Sequence, residues 1–380
     1  MHKYIISFHD TKKNDVAVTG NKGTNLALLF KLYPTKVPDG FCITTAAYRK
    51  FIDSGDIAAR IRELDLLSIH EGEAIKQASD AIRKMIKGSG LPEDVMEELK
   101  AVLKNYDDSD HYAVRSSATS EDLPDASFAG LHESYLNLSG IEAIAESCLS
   151  CWASLFSDPA VFYRKKNGID HQGVLMAVIV QKFIEADASG VIFTADPFTS
   201  DRKSAVVEAV HGLGQSLVSG AVVPDRYFLG VNQSVSVVQG RAETALRSAI
   251  PQGTAVVKDK AFTEKQVLSE EQVRELVCLG REIEAHFNCP QDLEWVMKEF
   301  QFFLVQTRPI TSLFPIPDFA GVPQPRVYMS VGHLQMMTDA IKPLGLSFFE
   351  PLAQFTLDRA GGRPFADITH DLTSPVGRKR

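Results

Sequence analysis

Four stretches of the sequence combine residue types that can hold phosphate or a hard metal ion. In Gly20-Asn21-Lys22-Gly23-Thr24-Asn25-Leu26 a lysine stands between glycines just ahead of an apolar run, Leu26, Leu28, Leu29 and Phe30. Glycines let a backbone approach closely, and an ammonium meets phosphate as a point charge. The GxxxxGK[ST] spacing of a P-loop is absent, so by itself the stretch reads better as a surface turn. In the second, beginning Tyr112-Ala113-Val114-Arg115-Ser116-Ser117, an apolar strand ends at Arg115 and breaks into a hydroxyl-rich loop that runs to Gly130. A forked guanidinium beside hydroxyl donors suits phosphate oxygens, although an arginine capping a loop would look the same. The third is QDLEWVMKEFQFFLVQTRPI, where Leu293, Trp295 and Met297 alternate with Glu294, Val296 and Lys298 as a strand requires. A turn at Glu299 to Gln301, centred on Phe300, sets Glu294 opposite Gln306 and Asp292 opposite Arg308, with all four side chains on one face. A carboxylate beside an amide oxygen suits Mg2+ shared with nucleotide phosphates, and Arg308 would neutralise phosphate charge in the same cavity. A solvated ribbon face is the bland alternative. The fourth, SAVVEAVHGLGQSLVSG, runs from a strand into Gly212-Leu213-Gly214 but has Leu217 where the last glycine of GxGxxG belongs. It reads as a place where backbones pack closely, not as a dinucleotide loop.

Those residues need a scaffold, and the chain has room for one: 380 residues are two or three domains. A net charge of -8 supplies no positive field for a polyanion, so nucleic acid is not an expected partner. The longest uncharged apolar run, Gly173 to Val180, is far short of the ~20 residues that cross a bilayer, and the first residues lack a signal-peptide core. The expectation is a cytoplasmic protein with no membrane partner. The five cysteines, Cys42, Cys148, Cys151, Cys278 and Cys289, suit reduced thiols. Cys148-x-x-Cys151 lies in an apolar pattern of helical spacing with no second ligand pair, which predicts a buried structural role. Tyr48 to Leu103 reads as successive amphipathic helices. From Gly173 the pattern turns to β-strands, and a second lobe is expected near there. Ser269 and Gln272 have the spacing of a capping box, opening a helix that continues through Phe287. Strands and helices alternate without a repeat, so the fold class is mixed α/β. Five prolines in the eighteen residues from Pro309 to Arg326 predict a linker.

Several of these stretches together resemble the nucleotide-binding portion of the dikinase superfamily that includes phosphoenolpyruvate synthase and pyruvate phosphate dikinase. They are NKGTNLALL, VPDGFCITTAAYRKF, YAVRSSATSEDLPDASFAG, ASGVIFTADPFTSDR, EAVHGLGQSLVSG and QDLEWVMKEFQFFLVQTRPIT, covering roughly residues 15 to 312. Beyond Arg326, RVYMSVGHLQMMTDAIKPLGLSFFEPL and AGGRPFADITHDLTSP resemble the start of the acceptor domain of rifampin phosphotransferases. The resemblance implies an ATP-grasp-like α/β (α+β) fold in which lobe 1 (1–185) and lobe 2 (186–312) close on ATP with Mg2+. A Pro-rich linker (313–325) and the truncated start of an acceptor domain (326–380) follow.

Carried over by resemblance, Lys22 and Arg115 hold phosphates, Gly130 and Ser134 line the triphosphate loop, and Gln181 contacts the adenine end. Glu294 and Gln306 hold the metal, and Arg308 grips phosphate, so Arg115 and Arg308 are the catalytic pair. Asn21, Leu131 and Ser134 depart from the usual glycine, glutamine and threonine. The implied reaction passes the β,γ-phosphates of ATP to a phosphorylatable histidine domain with release of AMP, loses inorganic phosphate by hydrolysis with water, and hands the β-phosphate to an acceptor, a rifamycin-type antibiotic or pyruvate. No histidine of this chain stands in a carrier-loop context. A phosphoenolpyruvate synthase fragment and a nucleotide-binding module without phosphoryl chemistry are the alternatives. The tail of ~55 residues is expected to have a marginal core and to be poorly ordered or to borrow packing.

Overall fold

The structure, a computed structural model, describes residues 4–53, 55–119, 122–123, 126–127, 134–259, 261–317, 326–334, 339–349, 351 and 357–374. The chain divides into two compact units, Met1–Ile310 and Thr311–Arg380.

In chain order the larger unit begins with β1 (Ile5–Ser7), α1 (Val16–Leu32) and β2 (Gly40–Ile43). Four helices follow: α2 (Thr45–Ile52), α3 (Gly55–Leu66), α4 (Gly72–Gly88) and α5 (Glu93–Leu103). Then come β3 (Tyr112–Ala118), a small ribbon of β4 (Asp122–Leu123) and β5 (Ala126–Ser127), β6 (Ser134–Leu138), α6 (Gly140–Ser154), α7 (Asp158–Lys166) and β7 (Met176–Lys182). Five of these strands make an antiparallel sheet in the order β1-β2-β7-β3-β6. The helices expected between Tyr48 and Leu103 are present because their apolar residues recur on one side. In α4, Ile75, Ser79, Ile82 and Ile86 are the buried stripe. Cys148 and Cys151 of α6 are buried in the same core as Trp152, as a structural role requires. The β-pattern that begins at Gly173 first adds β7 to the middle of this sheet and only then opens a second one.

That second sheet is also antiparallel. Its strands are β8 (Ala188–Phe193), β9 (Ala205–His211), β10 (Asp225–Leu229), β11 (Val235–Val238), β14 (Gln291–Lys298) and β15 (Gln301–Pro309), in the order β11-β10-β9-β8-β14-β15. Between β9 and β14 the chain also forms α8 (Gln215–Val218), a separate hairpin β12 (Thr244–Ser248) and β13 (Thr254–Lys258), α9 (Ala261–Glu264) and α10 (Glu270–Phe287). The capping box at α10 is formed in both directions: Ser269 Oγ accepts from Gln272 N at 3.3 Å, and Ser269 N donates to Gln272 Oε1 at 2.8 Å. One core joins Leu26, Leu29 and Phe30 of α1 to Val273 and Leu276 of α10 and to Trp295 and Phe302 of the β14–β15 hairpin. The N-terminal helix thus packs under the second sheet, which ties the two sheets into one unit.

The smaller unit has its own three-stranded sheet, ordered β16-β18-β17, from β16 (Tyr328–Ser330), β17 (Leu357–Ala360) and β18 (Arg363–Asp367). Its buried apolar side chains among the described residues include Leu346, Phe365 and Ala366. Among the described residues no helix is long and apolar enough to cross a membrane.

Candidate nucleotide site

The hairpin that carries most of the polar candidates is built by two irregularities. Glu299 (φ 50°) and Phe300 (φ 62°) are both left-handed, so a two-residue turn of the kind that matches strand twist joins β14 to β15. Pairing then runs from Lys298↔Gln301 to Trp295↔Leu304. A β-bulge follows, and beyond it the pairs are Glu294↔Gln306, Leu293↔Thr307 and Asp292↔Arg308. The sequence expects this final register from a turn centred on Phe300; the structure reaches it with a tighter turn and one extra residue, Val305, in β15. A Glu-Phe turn carries no Asn or Gly signal, which is why the sequence does not reveal the division.

A cavity of about 650 Å³ lies between the sheets. The first sheet lines it with Ala113 and Arg115 of β3, Ser134 of β6 and Gln181 of β7; the second with Gly190 of β8 and Glu294 of β14, together with Val305. Arg115 Nη1 donates to Val305 O at 2.6 Å, crossing from one sheet to the other. Gln181 is buried, and its Nε2 donates to Pro38 O at 3.1 Å. Ser134 is exposed at the edge, where its carbonyl accepts from Gln215 Nε2 at 3.3 Å.

Lys22, Gln306 and Arg308 are not among the lining residues. Lys22 stands inside α1, not in a turn ahead of it. The helix kinks at Gly20 (φ 69°, ψ 171°) and continues. A Cβ at Gly20 would lie 2.3 Å from Ser117 O, so both the conformation and the close approach require glycine. Ser117 Oγ donates to Thr19 O at 2.8 Å and accepts from Gly23 N at 3.0 Å, stitching the lysine segment to β3 two residues beyond Arg115. Gln306 is buried on the face it shares with Glu294. Arg308 Nε donates to Asp292 Oδ2 at 2.8 Å. Burial pushes the Asp292 carboxyl up, Arg308 opposes that, and the charges of Glu294 and Glu208 add to it. Gly130, the remaining candidate, lies outside the described residues.

Sequence reasoning undervalued the glycine loop after β9. Gly212 (φ 75°) does pack closely, with a Cβ there only 2.3 Å from Leu246 O. Yet Leu213, Gly214 and Gln215, just after it, line the cavity. The signal was a glycine-rich turn at a strand end, a common place for ligands. Lys182, Phe183 and Ile184 at the end of β7 also line it, and nothing in their spacing announces that.

No group of three or more His, Cys, Asp or Glu suited to a metal occurs among the described residues. Mg2+ shared with phosphates needs only one or two protein oxygens, and Glu294 and Gln306, paired across β14 and β15, place a carboxylate and an amide oxygen on one strand face.

Residues 16–315 match the family described as pyruvate phosphate dikinase, AMP/ATP-binding domain. The chain belongs to that family. It is 42% identical over 381 residues to a rifampicin phosphotransferase of Bacillus subtilis, covering 100% of this chain and 44% of the relative. It is 43% identical over 380 residues to a rifampicin phosphotransferase of Bacillus cereus, with 100% and 44% coverage. A phosphoenolpyruvate synthase of Pyrococcus furiosus is 34% identical over 361 residues, covering 82% of this chain and 44% of that protein. The chain therefore spans less than half the length of these relatives. As a member of a nucleotide-binding family it carries the expected mixed α/β fold, with antiparallel sheets.

Proposed function

We propose that this chain is the ATP- and Mg2+-binding part of a rifamycin-phosphorylating dikinase. The observation that carries the reading is that Arg115, Ser134 and Gln181 from one sheet and Glu294 from the other line a single cavity. Arg115 neutralises charge on the phosphates, Glu294 and Gln306 hold Mg2+, and Gln181 meets the adenine end. Mg2+ when bound offsets the charge that develops on the transferred group. Lys22, Gln306 and Arg308 stand off the lining; when lobe 1 (1–185) and lobe 2 (186–312) close in the ATP-grasp-like manner, Lys22 and Arg308 meet phosphate and Gln306 reaches the metal beside Glu294. Positioning and charge neutralisation are the whole of this part's contribution.

In the proposed reaction ATP, water and an acceptor give AMP, phosphate and phosphorylated acceptor through a histidine domain supplied by the rest of the protein: the histidine takes the β,γ-phosphates and releases AMP, water removes the outer phosphate, and the remaining phosphoryl group passes to the acceptor. Two observations favour a rifamycin over pyruvate. The match to rifampicin phosphotransferases extends over the whole chain, and identity falls to 34% with 82% coverage for the phosphoenolpyruvate synthase. Residues 313–325 act as linker and 326–380 begin the acceptor-binding part. A cytoplasmic site of action fits the burial of Cys42, Cys148 and Cys151 outside any disulfide.

Isothermal titration of the protein with ATP and Mg2+ tests the reading. Saturable, Mg2+-dependent binding is expected, weakened at least tenfold by Glu294→Ala and measurably by Arg308→Ala; absence of binding would overturn it. Adding the histidine domain of a relative should then release AMP and phosphate, which a purely nucleotide-binding module would not do.

A further inference from the structure

The β15 bulge decides which side chains share a strand face with Glu294. From Lys298↔Gln301 to Trp295↔Leu304 the strands keep one register. Continued without an extra residue, that register would set Val305 opposite Glu294 and Gln306 opposite Leu293. Side chains alternate along a strand, so Gln306 and Arg308 would then turn to the other face. That other face is the core: Leu293 is fully buried there, and Thr307 Oγ1 donates to buried Gln291 Oε1 at 2.8 Å. The extra residue, Val305, restores Gln306 to the side of Glu294.

A bulge interrupts the ladder and leaves backbone groups that must find partners elsewhere. β15 is also the edge strand of its sheet. Leu304 N donates to Lys36 O at 2.8 Å, and Val305 O accepts from Arg115 Nη1 at 2.6 Å. Both partners come from outside the second sheet, and the second is a charged group, whose hydrogen bonds are the stronger kind. We propose that Arg115 is a positioning residue for the metal edge: its guanidinium pins the Val305 bulge, and the bulge holds Gln306 beside Glu294. The functional part of this inference rests on the nucleotide reading above. It differs from a phosphate contact because it acts before any nucleotide is present.

Amide hydrogen exchange of the nucleotide-free full chain separates the two roles. Arg115→Ala should speed exchange at least tenfold in peptides covering residues 303–309 and leave β9 and β10 unchanged; Arg115→Lys, which keeps a charge but loses the fork, should lie between. Unchanged exchange at 303–309 in both variants would overturn the pin, whatever happens to nucleotide affinity. Because no nucleotide is added, failure of the ATP reading would not disturb this result. In the nucleotide-bound arm, Arg115→Lys should raise the Mg2+ concentration for half-maximal ATP binding at least fivefold. Equal weakening at every Mg2+ concentration would mean that Arg115 serves phosphate alone, and would likewise overturn the proposal. Should Arg115→Ala fail to fold, the lysine variant carries both readouts.

Discussion

Arg164 and His171 sit deeper in the protein than Arg115 and Glu294, at 1% and 2% exposure, and their chemistry is turned inward. Arg164 Nε donates to His171 Nδ1 at 2.7 Å, and its Nη2 donates to Leu155 O. Burial, reinforced by the charge of Arg164, pushes the His171 imidazole down to about 3. Arg115 and Glu294 are only half-buried, and both face the cavity between the sheets. This strongly shifted group therefore belongs to the scaffold beside α7 and not to the cavity. A strongly shifted ionisation marks a functional site only where several groups converge on open space.

The largest expected effect separates these regions. Arg164→Leu removes a guanidinium that bonds an imidazole and a carbonyl inside the core, and should cost about 3 kcal/mol of unfolding free energy. Denaturant titration measures that cost, while ATP affinity of the folded variant should stay within twofold. Glu294→Ala should do the reverse, changing stability by less than about 1 kcal/mol, as is usual for a partly exposed residue away from a buried network. If both variants moved stability and affinity together, the contrast between scaffold and site would fail.

Acid should strain the scaffold cluster selectively. A histidine held neutral in the folded state takes up a proton more readily when unfolded, so its contribution is present above the unfolded value of about 6.5 and is lost as pH falls toward 3. Between those limits this one group adds a slope of at most ~1.4 kcal/mol per pH unit, with stability falling as acid is added. His171→Gln keeps an acceptor for Arg164 but cannot titrate, and unfolding curves at pH 7, 5.5 and 4.5 should show a flatter dependence. An unchanged slope would remove His171 from the account.

The smallest effect is expected at the hairpin. Burial raises the Asp292 carboxyl while Arg308 attracts its charged form, so the two influences oppose each other. Asp292→Asn should therefore leave stability at pH 7 within about 1 kcal/mol of the parent protein by the same denaturant titration. A much larger loss would place Asp292 with the scaffold cluster.

How far the sequence reached can be followed in particular residues. The α10 capping box was readable because its partners are three residues apart and need only local backbone geometry. The Glu294–Gln306 pairing was readable from alternation, although the turn at Glu299 and Phe300 and the bulge at Val305 offset each other unseen. Lys22 was misplaced because a glycine before a lysine suggests a loop, whereas Gly20 lets α1 kink and continue. The role of Leu213 and Gly214 was missed because a lining residue is defined by what stands opposite it, and that is β14 and β6.

The sequence by itself determined where periodic burial makes strands and helices, which charged residues share a strand face, and which family those residues resemble. These properties depend on backbone periodicity over a few residues. Only the tertiary structure decided that Arg115 spans from one sheet to the Val305 carbonyl of the other, that Glu294 shares a cavity with Gln181, and that Lys22 and Arg308 stand aside from it. Such convergence is set by how two sheets and α1 pack around shared cores, and no short stretch of chain contains that information.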